Sequence, residues 1–194
     1  MANSQAEKSL NHARIVEFAA ARFRQDGVNG ISVADLMKGV GMTHGGFYRH
    51  FTSRDELVSE AIECAFGDGK LALDRLASIE QASAEAFDKL VDGYLNKAHR
   101  DELSTSCALT TLAGDVARSG EGTRAVYARQ VETYLDRLSA LVTGKEGKEK
   151  RLSAIGLLSM LVGSLSMARA VNDENLSEEI LQAAAEQAKI HFRD

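Results

Sequence analysis

From position 10 onward, apolar side chains recur at helical spacing rather than in alternation. Ile15, Phe18, Ala19 and Phe23 follow the i, i+3, i+4, i+8 pattern of one helix face, with Arg22 the polar exception on it. Gly27 then supplies a stop, because glycine takes a left-handed cap conformation without strain. Ser32 is placed to cap a second helix, with Asp35 three residues on in capping-box position. Val33, Leu36, Met37 and Val40 make its apolar stripe, and Gly41 ends it. Thr43 starts a third helix that runs to about Phe51. Ser53 with Glu56 forms a further capping box ahead of Leu57, Ala61, Cys64 and Ala65.

Residues 10–51 thus read as three short helices separated by abrupt turns. Longer amphipathic stretches follow at about 53–78, 83–100, 106–118, 122–143, 148–171 and 177–191. Breaks are expected near 78–83, 101–106, 119–122, 144–147 and 172–177. No strand-like alternation and no internal repeat interrupts this pattern. The prediction is an all-α chain of nine helices, with a three-helix head over 1–52 and a six-helix body over 53–194.

Composition supports that reading. The 194 residues include 44% hydrophobic residues, enough for a core, and no proline, the residue helix interiors exclude most strongly. Net charge is −5, which argues against a protein coated in nucleic acid. The charge is unevenly placed, however: residues 1–54 carry a net +3 and the remainder −8. The N-terminal part can approach phosphate and the rest is repelled by it. Two cysteines, Cys64 and Cys107, are too few for a disulfide framework. The start MANSQAEKSLNHAR has no apolar signal core, and no apolar run reads as long enough to cross a bilayer. A cytoplasmic protein without membrane attachment is expected.

The segment ISVADLMKGVGMTHGGFYRHFTSRDELV holds the chemistry. Two short helices joined by a tight glycine turn are the helix-turn-helix plan. The second begins Thr43-His44-Gly45-Gly46, small or polar side chains that suit close approach to a major groove rather than core packing. Phe47 and Phe51 would anchor its opposite side. Tyr48, Arg49, His50 and Arg54 surround it with donors for phosphate or base edges, and Ser32 and Thr43 add hydroxyls at two helix starts.

On these residues the chain resembles the TetR/AcrR family of bacterial repressors. The likeness rests on ARIVEFAAARFRQDGVNGIS, VADLMKGVGM and above all THGGFYRHFTSRDELV, and it is strong over about 8–65. Further on, CALTTLAGDVAR and MARAV look like a subgroup of the same family. The resemblance implies that Thr43, His44, Gly45 and Arg49 face base edges or nearby phosphates, and that Tyr48 and His50 contact phosphate. Arg54 takes a position where the family usually has lysine, and Ser32 one where it usually has threonine. Gly46 departs from the family's habitual side chain there and leaves base preference open.

The same resemblance implies a homodimer whose last two helices form a four-helix bundle with those of the partner. AIGLLSMLVGSLSMARAV is compatible, with Gly156 and Gly163 permitting close helix approach, although a buried core helix would read the same way. It further implies a small-molecule inducer enclosed by the middle helices. Tyr94, Cys107, Thr110, Thr111, Tyr127, Met160 and Met167 are the candidate lining residues, although for any one of them ordinary core packing is the simpler reading. Cys107, near a helix start, fits either a redox- or electrophile-sensing thiol or a small buried apolar residue. The five histidines form no metal-binding or catalytic motif, and no P-loop, dinucleotide or nucleophile-elbow pattern occurs. No enzyme activity, catalytic residue, metal or cofactor is expected. The partners expected are double-stranded operator DNA, a second copy of the chain and an inducer.

Overall fold

In the computed structural model residues 2–79, 83–142 and 146–193 are described, apart from the side chains of 2–4 and 68–79. Among these residues the chain is helical with no strand. The helices are α1 (Ala2–Asp26), α2 (Val33–Gly39), a 3-10 helix (His44–Arg49), α3 (Arg54–Ile79), α4 (Ala84–Tyr94), α5 (Lys97–Asp101), α6 (Ala108–Ala117), α7 (Glu121–Leu141), α8 (Gly147–Ala170) and α9 (Glu174–Phe192). One continuous apolar core joins them, from Ile15, Phe23, Phe47 and Phe51 at one end to Leu157, Leu165 and Ala188 at the other.

The packing order follows from the apolar stripes. α3 lies on α1 and α7, and α8 lies on α7 and α9. α6, short and apolar, is inserted among α1, α3, α7 and α8. Contrary to the sequence expectation, α8 is long and apolar enough to cross a membrane by length and composition alone, a property that the core helix of a soluble protein can share. One of its faces is nonetheless occupied: Ala154, Leu157, Leu161, Leu165 and Ala168 are buried against neighbouring helices.

Several boundaries differ from those read from the pattern. α1 extends back to Ala2, and Leu10 is exposed rather than part of the buried stripe. The third helix of the head is a 3-10 helix, because two adjacent glycines are poor α-helix formers and the segment is only six residues long. The stretch expected as one helix over 83–100 is broken at Leu95–Asn96. Asn96 caps α5 through the His99 N–H (2.9 Å) while its amide donates to the carbonyls of Asp92 and Gly93, closing α4. α9 starts earlier than expected because Asp173, not Ser177, caps it (Leu176 N to Oδ1, 3.1 Å). The breaks expected near 78–83 and 144–147 fall partly outside the described residues.

Candidate nucleic-acid interface

Local chemistry builds the head. α1 ends where Gly27 takes φ 76° and donates to the Phe23 carbonyl (3.0 Å). Ser32 then caps α2: the Asp35 N–H donates to its Oγ (3.1 Å), and that hydroxyl donates to the Asp35 carboxylate (2.6 Å). The end of α2 is a Schellman turn. Gly41 sits at φ 75°, with its N–H on Lys38 O (3.0 Å) and the Met42 N–H on Met37 O (2.8 Å). This turn sends the chain into the 3-10 helix at a sharp angle.

The 3-10 helix is fastened on one side only. Phe47 and Phe51 are buried and stacked, with centroids 5.3 Å apart, against the apolar side of α2. On the other side Thr43, His44, Gly45, Tyr48 and Arg49 are exposed. Tyr48 is 69% exposed although its ring edge meets Phe47. Thr43 stands at the N-cap without the expected capping bond. The structure therefore brings these five residues onto one solvent-facing surface, with Ser32 exposed at the neighbouring helix start.

His50 and Arg54 are placed differently. His50 is half-buried beside His12, whose ring stacks on Phe51 (4.5 Å) and whose Nε2 meets the Glu60 carboxylate at 2.6 Å. The Nδ1 of His50 is buried without a hydrogen-bond partner, and burial, followed by the charges of His12, Lys8 and Arg49, lowers its pKa below the ordinary 6.5. Arg54 reaches back to the loop between α1 and α2. It donates to Val28 O (2.5 Å), Ile31 O (3.3 Å) and Asn29 Oδ1 (3.3 Å), which holds the start of α2 in place. The capping box at Ser53 is also displaced by one residue. Glu56 N–H donates to Ser53 Oγ, but its carboxylate accepts from the N–H and hydroxyl of Thr52.

The expected ligand-lining residues divide. Tyr94, Cys107, Thr110, Thr111 and Tyr127 gather around the first turn of α6. Tyr94 and Thr110 share a hydrogen bond (2.9 Å), Thr111 donates to Cys107 O (3.3 Å) and Tyr127 to Leu109 O (3.3 Å). Cys107 is 9% exposed, and burial first, then Cys107, raises the Tyr94 hydroxyl well above its ordinary pKa. Burial likewise pushes Tyr127 up to about 12. Met160 is half-buried against the core, whereas Met167 is 54% exposed and stands outside the cluster. Gly156 is closely approached by Phe192 of the same chain, since a Cβ there would lie 2.9 Å from its ring, while Gly163 faces open space.

Three polar residues that periodicity does not single out complete the interior. His99 accepts the Cys107 N–H at Nε2 (3.2 Å), so its Nδ1 carries the proton that bonds Tyr94 O (2.7 Å). Arg24, 7% exposed, donates from α1 to Ala65 O (3.4 Å) and Ser106 O (3.3 Å). Arg169 of α8 donates to the Ser106 hydroxyl from the other side. A second tether joins head to body at the far end of α6, where the Asp115 carboxylate accepts the Val28 N–H (3.3 Å).

Comparison with known proteins agrees with this geometry. Residues 15–61 match the model of bacterial regulatory proteins of the tetR family. The chain is 24% identical over 142 residues to YfiR of Bacillus subtilis, an uncharacterized HTH-type transcriptional regulator, covering 72% of this chain and 67% of YfiR. It is 33% identical over 86 residues to the HTH-type transcriptional repressor KstR2 of Mycobacterium tuberculosis, a match spanning 38% of this chain and 42% of KstR2. Its fold superposes on E. coli NemR, solved in its reduced form, with a TM-score of 0.80 at 17% identity, over 94% of this chain and 96% of NemR.

Proposed function

We propose that the chain is a DNA-binding regulator of the TetR/AcrR family, a repressor that grips a palindromic operator as a homodimer and is released by a small-molecule inducer. In this reading residues 1–52 are the DNA-binding head and 53–194 the regulatory and dimerisation body. The protein works in the cytoplasm, without enzymatic activity. One observation carries the proposal: Thr43, His44, Gly45, Tyr48 and Arg49 lie exposed on a 3-10 helix whose other side is locked into the core by Phe47 and Phe51. A rigid, polar, narrow edge of this kind enters a major groove, with Thr43, His44, Gly45 and Arg49 at base edges. Tyr48, His50 and Ser32 hold phosphates. Arg54 contributes from the edge of the same surface while fixing the loop ahead of α2.

The dimer is supported by the outer faces of α8 and α9. Leu152, Ile155, Leu176 and Ile190 are exposed apolar side chains, and Ser159, Gly163 and Ala170 continue the α8 stripe with little bulk. The inducer reading rests on the interior cluster at the start of α6.

The test is titration of a labelled duplex from the gene's own promoter. Tyr48→Phe removes one phosphate hydrogen bond, worth about 0.5–1.5 kcal/mol, and weakens binding on every sequence alike. A wild-type protein that ignores that duplex at low salt overturns the proposal. A second reading, a redox or electrophile response at Cys107, is favoured by the thiol's position beside Tyr94 at the start of α6. Equal release of DNA by wild type and Cys107→Ser under quinone treatment rejects it.

A further inference from the structure

At the junction between α5 and the α8–α9 turn, one guanidinium has no carboxylate among its hydrogen-bond partners. A cavity of about 410 Å³ opens there, bordered by Arg100, Leu103, Ala168, Arg169, Val171 and Glu174. Two arginines line it, and they are not equivalent. Arg100 is already neutralised. It donates to the Asp101 carboxylate from Nε (2.7 Å) and Nη2 (3.2 Å), to Glu174 from Nη2 (3.1 Å) and to Ser177 Oγ from Nη1 (2.7 Å). Lys97, with Arg100 next, holds the Glu174 carboxyl down to about 2, so that carboxylate stays charged.

Arg169 has only neutral partners. Its Nε donates to Arg100 O (2.9 Å), and its Nη2 donates to His99 O (2.6 Å) and the Ser106 hydroxyl. Its Nη1 is sealed from solvent and has no hydrogen-bond partner among the described residues. Burial pulls the guanidinium below its ordinary pKa, yet an arginine does not give up its proton in a protein. A half-buried cation with one sealed, unused donor is a costly arrangement, and an anionic acceptor is what relieves it.

We propose that this cleft binds a small monocarboxylate, whose carboxylate accepts hydrogen bonds from Nη1 of Arg169 and whose apolar body lies against Leu103, Ala168 and Val171. A single negative charge matches the one guanidinium here that hydrogen-bonds no carboxylate. A phosphate dianion would meet repulsion from Asp101 and Glu174. The volume lies at the small end of the range for ligand sites. Because Nη1 is sealed, the carboxylate reaches it as the α8–α9 junction opens, and this movement strains the bond from Arg169 to Ser106. Ser106 in turn holds Arg24 of α1. The proposal rests on the inducer reading for its consequence at DNA and supplies that reading with a ligand class.

The experiment is calorimetric titration of the full-length chain, without DNA, using hexanoate and benzoate, their uncharged amides, and inorganic phosphate. Saturable binding of a carboxylate is expected, with the matching amide and phosphate about tenfold or more weaker, as loss of a charge-assisted bond requires. Arg169→Gln abolishes the difference between acid and amide, Arg169→Lys keeps part of it, and Arg124→Gln on α7 leaves it intact. Equal binding of acid and amide overturns the proposal, as does preferential binding of phosphate, or no saturation by either acid up to roughly 10 mM. The acid–amide comparison is made on the wild type and needs no variant to fold. Failure of the promoter duplex to bind would strike the repressor reading alone, because this titration contains no DNA.

Discussion

Gly45 separates folding from DNA binding more cleanly than any other residue of the head. Its φ is not positive, so an L side chain is allowed there. A Cβ built at Gly45 meets nothing within 4 Å. At Gly46 a Cβ meets only Met37 Cε at 3.6 Å and Thr43 Oγ1 at 3.7 Å, which is ordinary contact. The fold therefore has no need of glycine at either position. Gly45→Ala should leave the thermal midpoint unchanged or raise it, because a less flexible unfolded chain stabilises the native state by about 0.4–1 kcal/mol. Gly45→Trp should also fold normally, with its indole standing in solvent. At DNA the outcome reverses if this edge enters the groove, because the indole occupies the space a base pair needs. The expected loss is on the order of tenfold to a hundredfold in affinity, or about 1.4–2.8 kcal/mol. Fluorescence anisotropy on the promoter duplex at fixed salt measures it, and a melt of the same sample checks folding. If Gly45→Trp folds and binds within about twofold of wild type, the 3-10 edge does not enter the groove and the assignment of Thr43, His44, Gly45 and Arg49 to base edges fails.

Two further outcomes follow from the polar interior and the head. Arg24→Met keeps the apolar stem but removes the donors to Ala65 O and Ser106 O, so it should cost about 2–4 kcal/mol in urea unfolding, and a loss below about 1 kcal/mol would show that these bonds carry little. The pKa of His50 is lowered in the free protein, and a phosphate beside it favours the charged form, so DNA binding takes up a proton. Affinity is then greatest at pH values below the free pKa and is lost as pH rises through the DNA-bound pKa. Binding curves from pH 8 to pH 6 should tighten for wild type and stay flat for His50→Gln, and identical profiles would remove His50 from the phosphate contacts.

The head was legible because its signals are local. Ser32 with Asp35 and Gly41 after Val40 each satisfy backbone groups within a few residues, and those bonds form as the spacing predicts. The resemblance at THGGFYRHF added the roles of side chains that periodicity alone leaves undefined. What the pattern could not show is chemistry that depends on distant carbonyls. Arg24 is buried because residues 41 and 82 positions away supply its acceptors, and nothing near it in the sequence announces that. Arg54 turns inward for the same reason, toward a loop 23 to 26 positions back. The 3-10 geometry of His44–Arg49 was hidden because hydrophobic spacing over six residues does not distinguish it from an α-turn. Met167 looked like a lining residue from its type, but it lies at the border of the outer face of α8 rather than among the buried positions.

In the proposed repressor reading, α6 is where body couples to head, and little energy is needed. One polar tether sits beside its start, where Ser106 O accepts from Arg24. The other sits near its end, where Asp115 accepts from Val28. The helix is ten residues long, about 15 Å, so both of its ends are fastened, one to Arg24 of α1 and the other to Val28, four residues further on. A tilt of α6 would carry the end of α1 with it. α2 must follow, since Gly39 lies so close to Phe18 that a Cβ would fall 2.3 Å from its ring. The 3-10 helix follows α2 through Phe47 and Phe51. A regulatory coupling of about 1–3 kcal/mol is sufficient for a useful switch, and one buried hydrogen bond contributes about 0.5–1.5 kcal/mol, more when it is charge-assisted. Making or breaking a single tether is therefore on the scale required, without refolding of any helix. The Arg169–Ser106–Arg24 contact is the tether closest to the interior cluster, so the ligand proposed for Arg169 would act on the head at its nearest point of attachment.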